Sequence, residues 1–413
     1  MHSKYIIVGS SHAALEAATA IRLIDAEGAL TLLTRDAHLP YSPTILPYLV
    51  SGRARPDKVA LCGPDYFRDN AIAFVPGATV AALDPALASL RLESGETWRY
   101  DRLLIATGAA PALPPIRGLN EVPFHVLRSM DDAVDLRQAI GQARSAIVLG
   151  AGLIGMHAAE NMAKAKVAVS VVELQPHVLS GYFEPKASAI IESTFARNGV
   201  RLVLGQSLDR VERRGEGCLA TLADGKTIAA DLLLVCTGVK PNIGFLNGSG
   251  IEVDFGILVD DWMRSNLPNI WAAGDVAQAR GFWGGKVVNG ILPNAVEQGR
   301  IAGLGMAGDA SVKPFPGAVP LNTYSFFGQQ AISVGNGRAG DGVEITESGD
   351  EAVYRRIVLK DGKLAGIATI NDFVDAGIMW QLILRRTDLS PVKAAFIADP
   401  RRVGRQLMSQ LWR

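Results

Sequence analysis

Residues 145–174 read SAIVLGAGLIGMHAAENMAKAKVAVSVVEL: an apolar run, three glycines in GxGxxG register, an Ala-rich stretch and a second apolar run ending on an acid. The apolar runs predict strands and the stretch between them a helix. Gly150 opens a tight turn, Gly152 lets a pyrophosphate approach the backbone, and Gly155 allows helix and strand to pack. Glu173 stands twenty-three residues beyond Gly150, where a carboxylate accepts hydrogen bonds from an adenosine ribose. It also repels a 2′-phosphate, and Leu174, Gln175 and Pro176 supply no arginine to hold one. Hydrogen bonds to a charged group are worth roughly 1.5–3 kcal/mol, so NAD is expected over NADP by about one to two decades.

A looser copy of the motif opens the chain. In KYIIVGSSHAALEAATAIRL (4–23) Gly9 follows a short apolar strand, but Ser11 and Ala14 replace the second and third glycines. LTLLTRD (30–36) then supplies a second strand and Asp36, twenty-seven residues after Gly9, near the place of a ribose-binding carboxylate. His12 is placed either to bond a phosphate or in an exposed loop. Further along, LLIATGAAP (103–111), with Thr107 and Gly108, is echoed by LLLVCTGVKPN (232–242), with Gly238. Each echo lies some ninety to a hundred residues after its own glycine finger, so two related nucleotide-binding units share the chain. NIWAAGDVAQA (269–279) adds a strand ending at Gly274 and Asp275, which places the second unit inside the first.

These motifs, covering residues 4 to about 310, resemble the two-dinucleotide-binding-domain flavoproteins, the glutathione-reductase-like pyridine nucleotide reductases. The resemblance implies an α/β fold with two Rossmann-like domains, the NAD domain inserted into the FAD domain, and a C-terminal α+β interface domain. The expected boundaries are 1–113 and 246–313 for FAD, 114–245 for NAD and 314–413 for the interface domain. It also implies FAD on the first finger, NAD(H) on the second, and Asp275 on the flavin ribityl chain.

The expected acceptor follows from residues the chain lacks. A disulfide reductase needs a thiol pair beside the flavin and an acid–base histidine to protonate the leaving thiolate. PYSPTILPYLVSG (40–52), where related enzymes carry the redox cysteine, has none, and all six histidines precede residue 180. Cys62, Cys218 and Cys236 lie far apart, without metal-ligand spacing. PYSP resembles the PYxR segment of flavin-dependent ferredoxin reductases, with Pro43 and Thr44 where an arginine is common. ILPNAVEQGRIAGLGMAG (291–308) resembles the helix that faces the flavin pyrimidine ring, with Asn294, Glu297 and Gln298 as expected contacts. His157 occupies a position where many relatives carry Glu; it is expected either beside the hydride path or packed at a domain seam.

Forty-one basic and forty-one acidic residues cancel, giving no sign of nucleic acid or an anionic membrane as partner. No apolar stretch approaches the ~20 residues of a membrane span, and a cytoplasmic protein is expected. The last segment, 385–413, carries seven basic and two acidic residues, a solvated helix face or a docking patch for an acidic electron carrier. YIIVGSSHAALEA, LPYSPTILPY, GLIGMHAAENMAK and LMSQLWR resemble, more narrowly, the FAD subunits of bacterial phenylglyoxylate dehydrogenase and tungsten aldehyde oxidoreductase complexes. That resemblance implies electron exchange between NAD(H) and an iron–sulfur subunit, alongside a metal- or thiamine-containing catalytic subunit. A free-standing NADH-dependent ferredoxin or rubredoxin reductase and a non-enzymatic NADH-sensing flavoprotein are the alternatives.

Overall fold

The structure, a computed structural model, describes residues 1–411. Trp412 and Arg413, the end of the LMSQLWR stretch, lie outside the described residues. The chain divides into two compact units: Met1–Ile45, Ala54–Ala110 and Val239–Ala318 form the first, and Leu46–Arg53, Pro111–Gly238 and Val319–Arg413 the second.

In the first unit the strand His2–Val8 pairs in parallel with Leu30–Leu33 on one side and Thr97–Ile105 on the other. Ile72–Val75 and Ile270–Ala272 extend the parallel part, while Ser89–Leu92 and Val80–Asp84 close it as an antiparallel edge. Tyr5, Ile6, Ile7 and Val8 are all buried, because helices and loops cover both faces of a parallel sheet. The sequence accordingly reads as an unbroken apolar run rather than an alternation. The helices His12–Ile24 and Leu292–Ala307 cross at very close range. A Cβ at Gly299 would sit 2.2 Å from the Ala13 carbonyl oxygen, and one at Gly303 would sit 2.4 Å from that of Ala17. Glycine on one helix and alanine on the other are what this crossing demands.

The second unit repeats the parallel motif with the strands Arg201–Leu204, Ala168–Glu173, Ser145–Leu149 and Leu232–Val235. A three-stranded antiparallel sheet, Leu208–Arg214, Gly217–Leu222 and Thr227–Ala230, shares a core with it. The unit also holds a five-stranded antiparallel sheet built from residues 321–370. There Tyr354–Lys360 and Lys363–Ile370 form a hairpin whose two turn residues, Asp361 (φ 50°) and Gly362 (φ 70°), are both left-handed. This is the conformation an Asp-Gly pair favours, and the one that matches strand twist. The helix Ala376–Leu384, capped by the Asp375 side chain, packs on this sheet. Pro400–Leu411 packs on that helix through Gly404, where a Cβ would lie 2.7 Å from Met379 Cε.

Candidate nucleotide-binding sites

Both fingers sit at the carboxyl end of a parallel strand. Gly9 N–H donates to Leu33 O and Gly150 N–H to Val172 O, each at 2.8 Å, so each turn starts in register with the neighbouring strand. Both glycines are left-handed, with φ of 126° and 102°, and neither has room for a side chain. A Cβ at Gly9 would lie 2.1 Å from Ala106 O, and one at Gly150 would lie 2.4 Å from Cys236 O. Gly155 is equally constrained, 2.0 Å from Gly150 O, whereas a Cβ at Gly152 meets nothing within 4 Å. The three glycines of the second finger thus divide into two that permit packing and one that leaves open space over the helix.

That helix, Leu153–Lys164, has Gly152 at its N-cap with no side-chain cap and no acid in the first turn. The first finger helix, His12–Ile24, has Ser11 at its N-cap, again with no side-chain bond and no acid in the first turn. A buried Ala14 takes the third position, so the first finger packs with a methyl where the second uses hydrogen. By contrast, Met130–Gln142 is closed by a full capping box from Ser129 and Asp132. A helix start without a cap presents its first N–H groups and positive dipole end to an anion, and a diphosphate satisfies both.

The acids that end the second strands are partly engaged. Glu173 accepts from Ala151 N–H at 2.6 Å and from Gln175 N–H at 2.8 Å, which ties it directly to the second finger. Asp36 accepts from Tyr41 O–H at 2.8 Å and His38 N–H at 3.0 Å. Tyr41 O–H is a contact the sequence did not announce, although Tyr41 stands in the PYSP stretch.

The remaining first-unit residues gather around the finger. Ala13 is pressed by Gly274, where a Cβ would stand 3.3 Å from the alanine methyl. Next to it Asp275 faces Gly290, where a Cβ would come within 3.4 Å of the carboxyl group. Gln298 accepts from Gly274 N–H at 2.9 Å. One turn before Gln298, Asn294 is 2 % exposed and its Nδ2 has no hydrogen-bond partner. An unmet buried donor costs about 1–3 kcal/mol, a cost that an acceptor on a bound ligand would remove. Glu297, also expected at the cofactor, is a bidentate partner of Arg300 at 2.7 and 3.1 Å. His12 Nε2 lies 2.9 Å from Ser42 Oγ, beside Pro43.

Thr107 and Gly108 act on the backbone: Thr107 Oγ1 donates to Asn242 O at 3.0 Å, Asn242 Nδ2 donates to Thr107 O at 2.8 Å, and Asn242 N–H donates to Gly108 O at 2.9 Å. In the second unit Thr237 Oγ1 donates to Ala112 O at 2.6 Å, and Ala112 N–H donates to Gly238 O at 2.9 Å. The Thr-Gly echoes therefore strap chain crossings.

His157 packs edge-on against Tyr324, with ring centroids 4.6 Å apart. Burial holds its imidazole pKa below the usual value, with nearby Glu160 opposing the shift. It lines a cavity of about 190 Å³ with Tyr48, Arg53, Glu160, Asn161 and Lys164. Glu160 is buried and accepts from Lys164 Nζ and Phe327 N–H. Burial raises the Tyr324 hydroxyl well above its ordinary pKa, and that hydroxyl has no partner.

The three cysteines are free thiols: burial raises Cys62 and Cys218, and pushes Cys236 up to about 12. Such thiols are poor nucleophiles. Among the described residues no group of three or more His, Cys, Asp or Glu is placed to hold a metal, and no helix is long and apolar enough to cross a membrane. In the basic stretch Arg402 pairs with Asp399 at 3.5 Å, Arg405 with Asp375 at 3.7 Å and Lys393 with Glu344. Uncapped helix starts, an open Gly152 and the unmet Asn294 donor are features that fit FAD in the first unit and NAD in the second.

Comparison with known proteins bears on the same residues. The chain is 52% identical to the NADH-dependent phenylglyoxylate dehydrogenase subunit epsilon of Aromatoleum evansii, over 100% of this chain and 99% of that one. It is 30% identical to the ferredoxin–NAD(+) reductase component of the biphenyl dioxygenase system of Paraburkholderia xenovorans, over 93% and 94% of the two chains. Among solved structures, a ferredoxin reductase from Rhodopseudomonas palustris superposes with a TM-score of 0.81 at 27% identity, covering 89% of this chain and 91% of the other. The pyridine nucleotide-disulphide oxidoreductase family model matches residues 3–299, and the chain belongs to that family.

Proposed function

We propose that this chain is the FAD-dependent NAD(H) oxidoreductase subunit of a larger aldehyde or 2-oxoacid oxidoreductase complex, exchanging electrons between NAD(H) and an iron–sulfur partner subunit in the cytoplasm. The observation that carries this reading is full-length similarity to a phenylglyoxylate dehydrogenase subunit, in a chain whose own thiols are single, free and held protonated. With no dithiol to receive electrons, an external acceptor or donor is required. FAD, when bound, supplies the exchange between a two-electron hydride and single electrons.

The protein's own groups bind and orient. The open first turn at Ser11, His12 and Ala14, behind Gly9, takes the FAD diphosphate, and Asp36 takes the adenosine ribose. Gly274 and Asp275 take the ribityl chain, Asn294 donates to a ring carbonyl, and Gln298 fixes the Gly274 turn. Glu297 holds Arg300, while Pro43, Thr107 and Gly108 shape the wall. In the second unit Gly150, Gly152 and Gly155 admit the NAD diphosphate, Glu173 accepts from its adenosine ribose, and Gly238 holds the return strand. His157, braced by Tyr324, positions the nicotinamide.

The catalytic partner subunit holds a metal or thiamine cofactor. The test is isolation of the chain from its native cells under mild conditions. We expect it to co-migrate with larger iron-containing subunits and to reduce NAD⁺ when the complex receives a 2-oxoacid or aldehyde. A chain that runs alone and reduces a free ferredoxin with NADH overturns this in favour of a second reading, a free-standing ferredoxin reductase. The similarity to the biphenyl dioxygenase reductase component favours that alternative.

A further inference from the structure

The proposed function sets a proton problem. Iron–sulfur centres hand over electrons singly and without protons, whereas a hydride leaving to NAD⁺ carries one proton with two electrons. Two electrons and one proton must therefore enter for each hydride that leaves, and the proton comes from water. The first unit contains a hydrogen-bonded chain suited to bring it. Thr44 Oγ1 lies 2.7 Å from Ser42 Oγ, and Ser42 Oγ lies 2.9 Å from His12 Nε2. Thr44 is exposed, and Ser42 and His12 are half-buried, so the chain leads inward from solvent.

Its inner end is the first residue of the finger helix. The next residue, Ala13, is the one pressed by Gly274 and Gly299, which carry Asp275 and the unmet Asn294 amide to the same place. His12 therefore stands one residue before the point where the segments carrying those groups meet the finger helix. Burial alone lowers its pKa; no charged side chain from any neighbouring element contributes. Asp36, the acid of the same finger, is turned to Tyr41 and His38. A neutral imidazole holds a proton on one nitrogen and accepts one on the other, which suits a relay. Pro43, between the two hydroxyl residues, has no N–H to divert either of them.

We propose that Thr44, Ser42 and His12 form a proton relay that gives the bound cofactor the proton its one-electron donors do not bring. This rests on the reading given under the proposed function. In the step His12 releases the proton at Nδ1 while Nε2 takes the Ser42 hydroxyl proton. Thr44 reprotonates Ser42, and water reprotonates Thr44. One bond to hydrogen forms for each that breaks, and no electrons pass along the chain.

Ser42→Ala and Thr44→Val break the relay while leaving the finger residues in place. The FAD-loaded, full-length protein is reduced anaerobically in a stopped-flow instrument by two donors. Reduced methyl viologen brings electrons alone; NADH brings a proton with its electron pair. In each variant the ratio of viologen rate to NADH rate should fall about a hundredfold, at the lower end of what a lost general acid costs. The viologen rate of the unaltered chain should also drop as pH falls through an inflection below 6.5, where the protonated imidazole loses its acceptor nitrogen, and the variants should lose that inflection. A second readout needs no flavin: in ¹⁵N-histidine-labelled apoprotein, Ser42→Ala should move the titration midpoint of one of the six histidines. An unchanged rate ratio, or an unmoved histidine titration, overturns the relay. If NADH fails to reduce the unaltered protein at all, the proposed function falls instead, and the viologen rates with the histidine titration still judge the relay.

Discussion

Replacing Glu173 by glutamine removes a charge while keeping length and shape, and the structure fixes what this should do. A carboxylate has about four lone-pair sites. Two are taken by Ala151 and Gln175 N–H groups, leaving two for the ribose hydroxyls. Bonds to a charged acceptor are worth roughly 1.5–3 kcal/mol and to a neutral one about 0.5–1.5. Two ribose bonds downgraded in this way lose about 1–3 kcal/mol, so NADH should bind roughly five- to a hundredfold more weakly. NADPH should lose less, since a repelling charge goes with the bond. The amide also turns an NH₂ group toward one of the two backbone donors. One N–H is then unmet, at about 1–3 kcal/mol, and the melting temperature should fall by a few degrees. Isothermal titration with both nucleotides, beside differential scanning fluorimetry, reads all three effects. An NADH affinity unchanged within twofold, together with a lowered melting temperature, would show that Glu173 only braces the finger and does not touch the ribose.

Three further outcomes are expected. Asp275→Ala should lose FAD on gel filtration while keeping its circular dichroism; full flavin absorbance afterwards would take Asp275 off the ribityl chain. Asn294→Leu removes the unmet donor, so the apoprotein should melt at least as high as the original while its FAD dissociation constant rises about tenfold, one lost hydrogen bond's worth; unaltered FAD binding would sink the contact. His157 has its pKa held down by burial, so the stability it contributes is full above its unfolded pKa near 6.5 and is lost as pH falls toward the folded value. His157→Phe, which keeps a ring against Tyr324, should therefore narrow the drop in melting temperature between pH 8 and pH 5.5, and an undiminished drop would show that the imidazole is not buried as described.

Features set by short-range pattern were legible in the sequence. The Gly150 finger, its flanking strands and the Asp361–Gly362 hairpin are written in spacing and in residues that tolerate left-handed backbone. The first finger was legible only through company, because Ser11 and Ala14 fill two glycine positions and the supporting strands lie downstream. What escaped is decided by which partner each side chain finds in the fold. Glu297 is paired with Arg300, and Thr107 donates its hydroxyl to Asn242 O, engagements that spacing alone does not signal. Leu46–Val50 follows PYSPT without a break, yet it is grouped with the second unit, where Asn161 Nδ2 donates to Pro47 O at 2.9 Å and Arg137 crowds Gly52. No periodicity signals such attachments. Ser42 likewise gives no hint of His12, thirty residues earlier, until the loop is folded onto the helix.

The crossing of Gly299 and Gly303 over Ala13 and Ala17 works as a caliper. At van der Waals contact with a carbonyl oxygen, neither helix can slide along the other, since a shift of one residue brings a side chain onto backbone. The uncapped start of one helix and the start of the other, which carries Asn294, are thereby held at one separation before any ligand arrives. A molecule whose phosphate-to-ring length matches that separation binds without the protein adjusting; riboflavin, which has the ring and no phosphate, can engage one jaw only. Selectivity for that spacing is thus stored in two absent methyl groups.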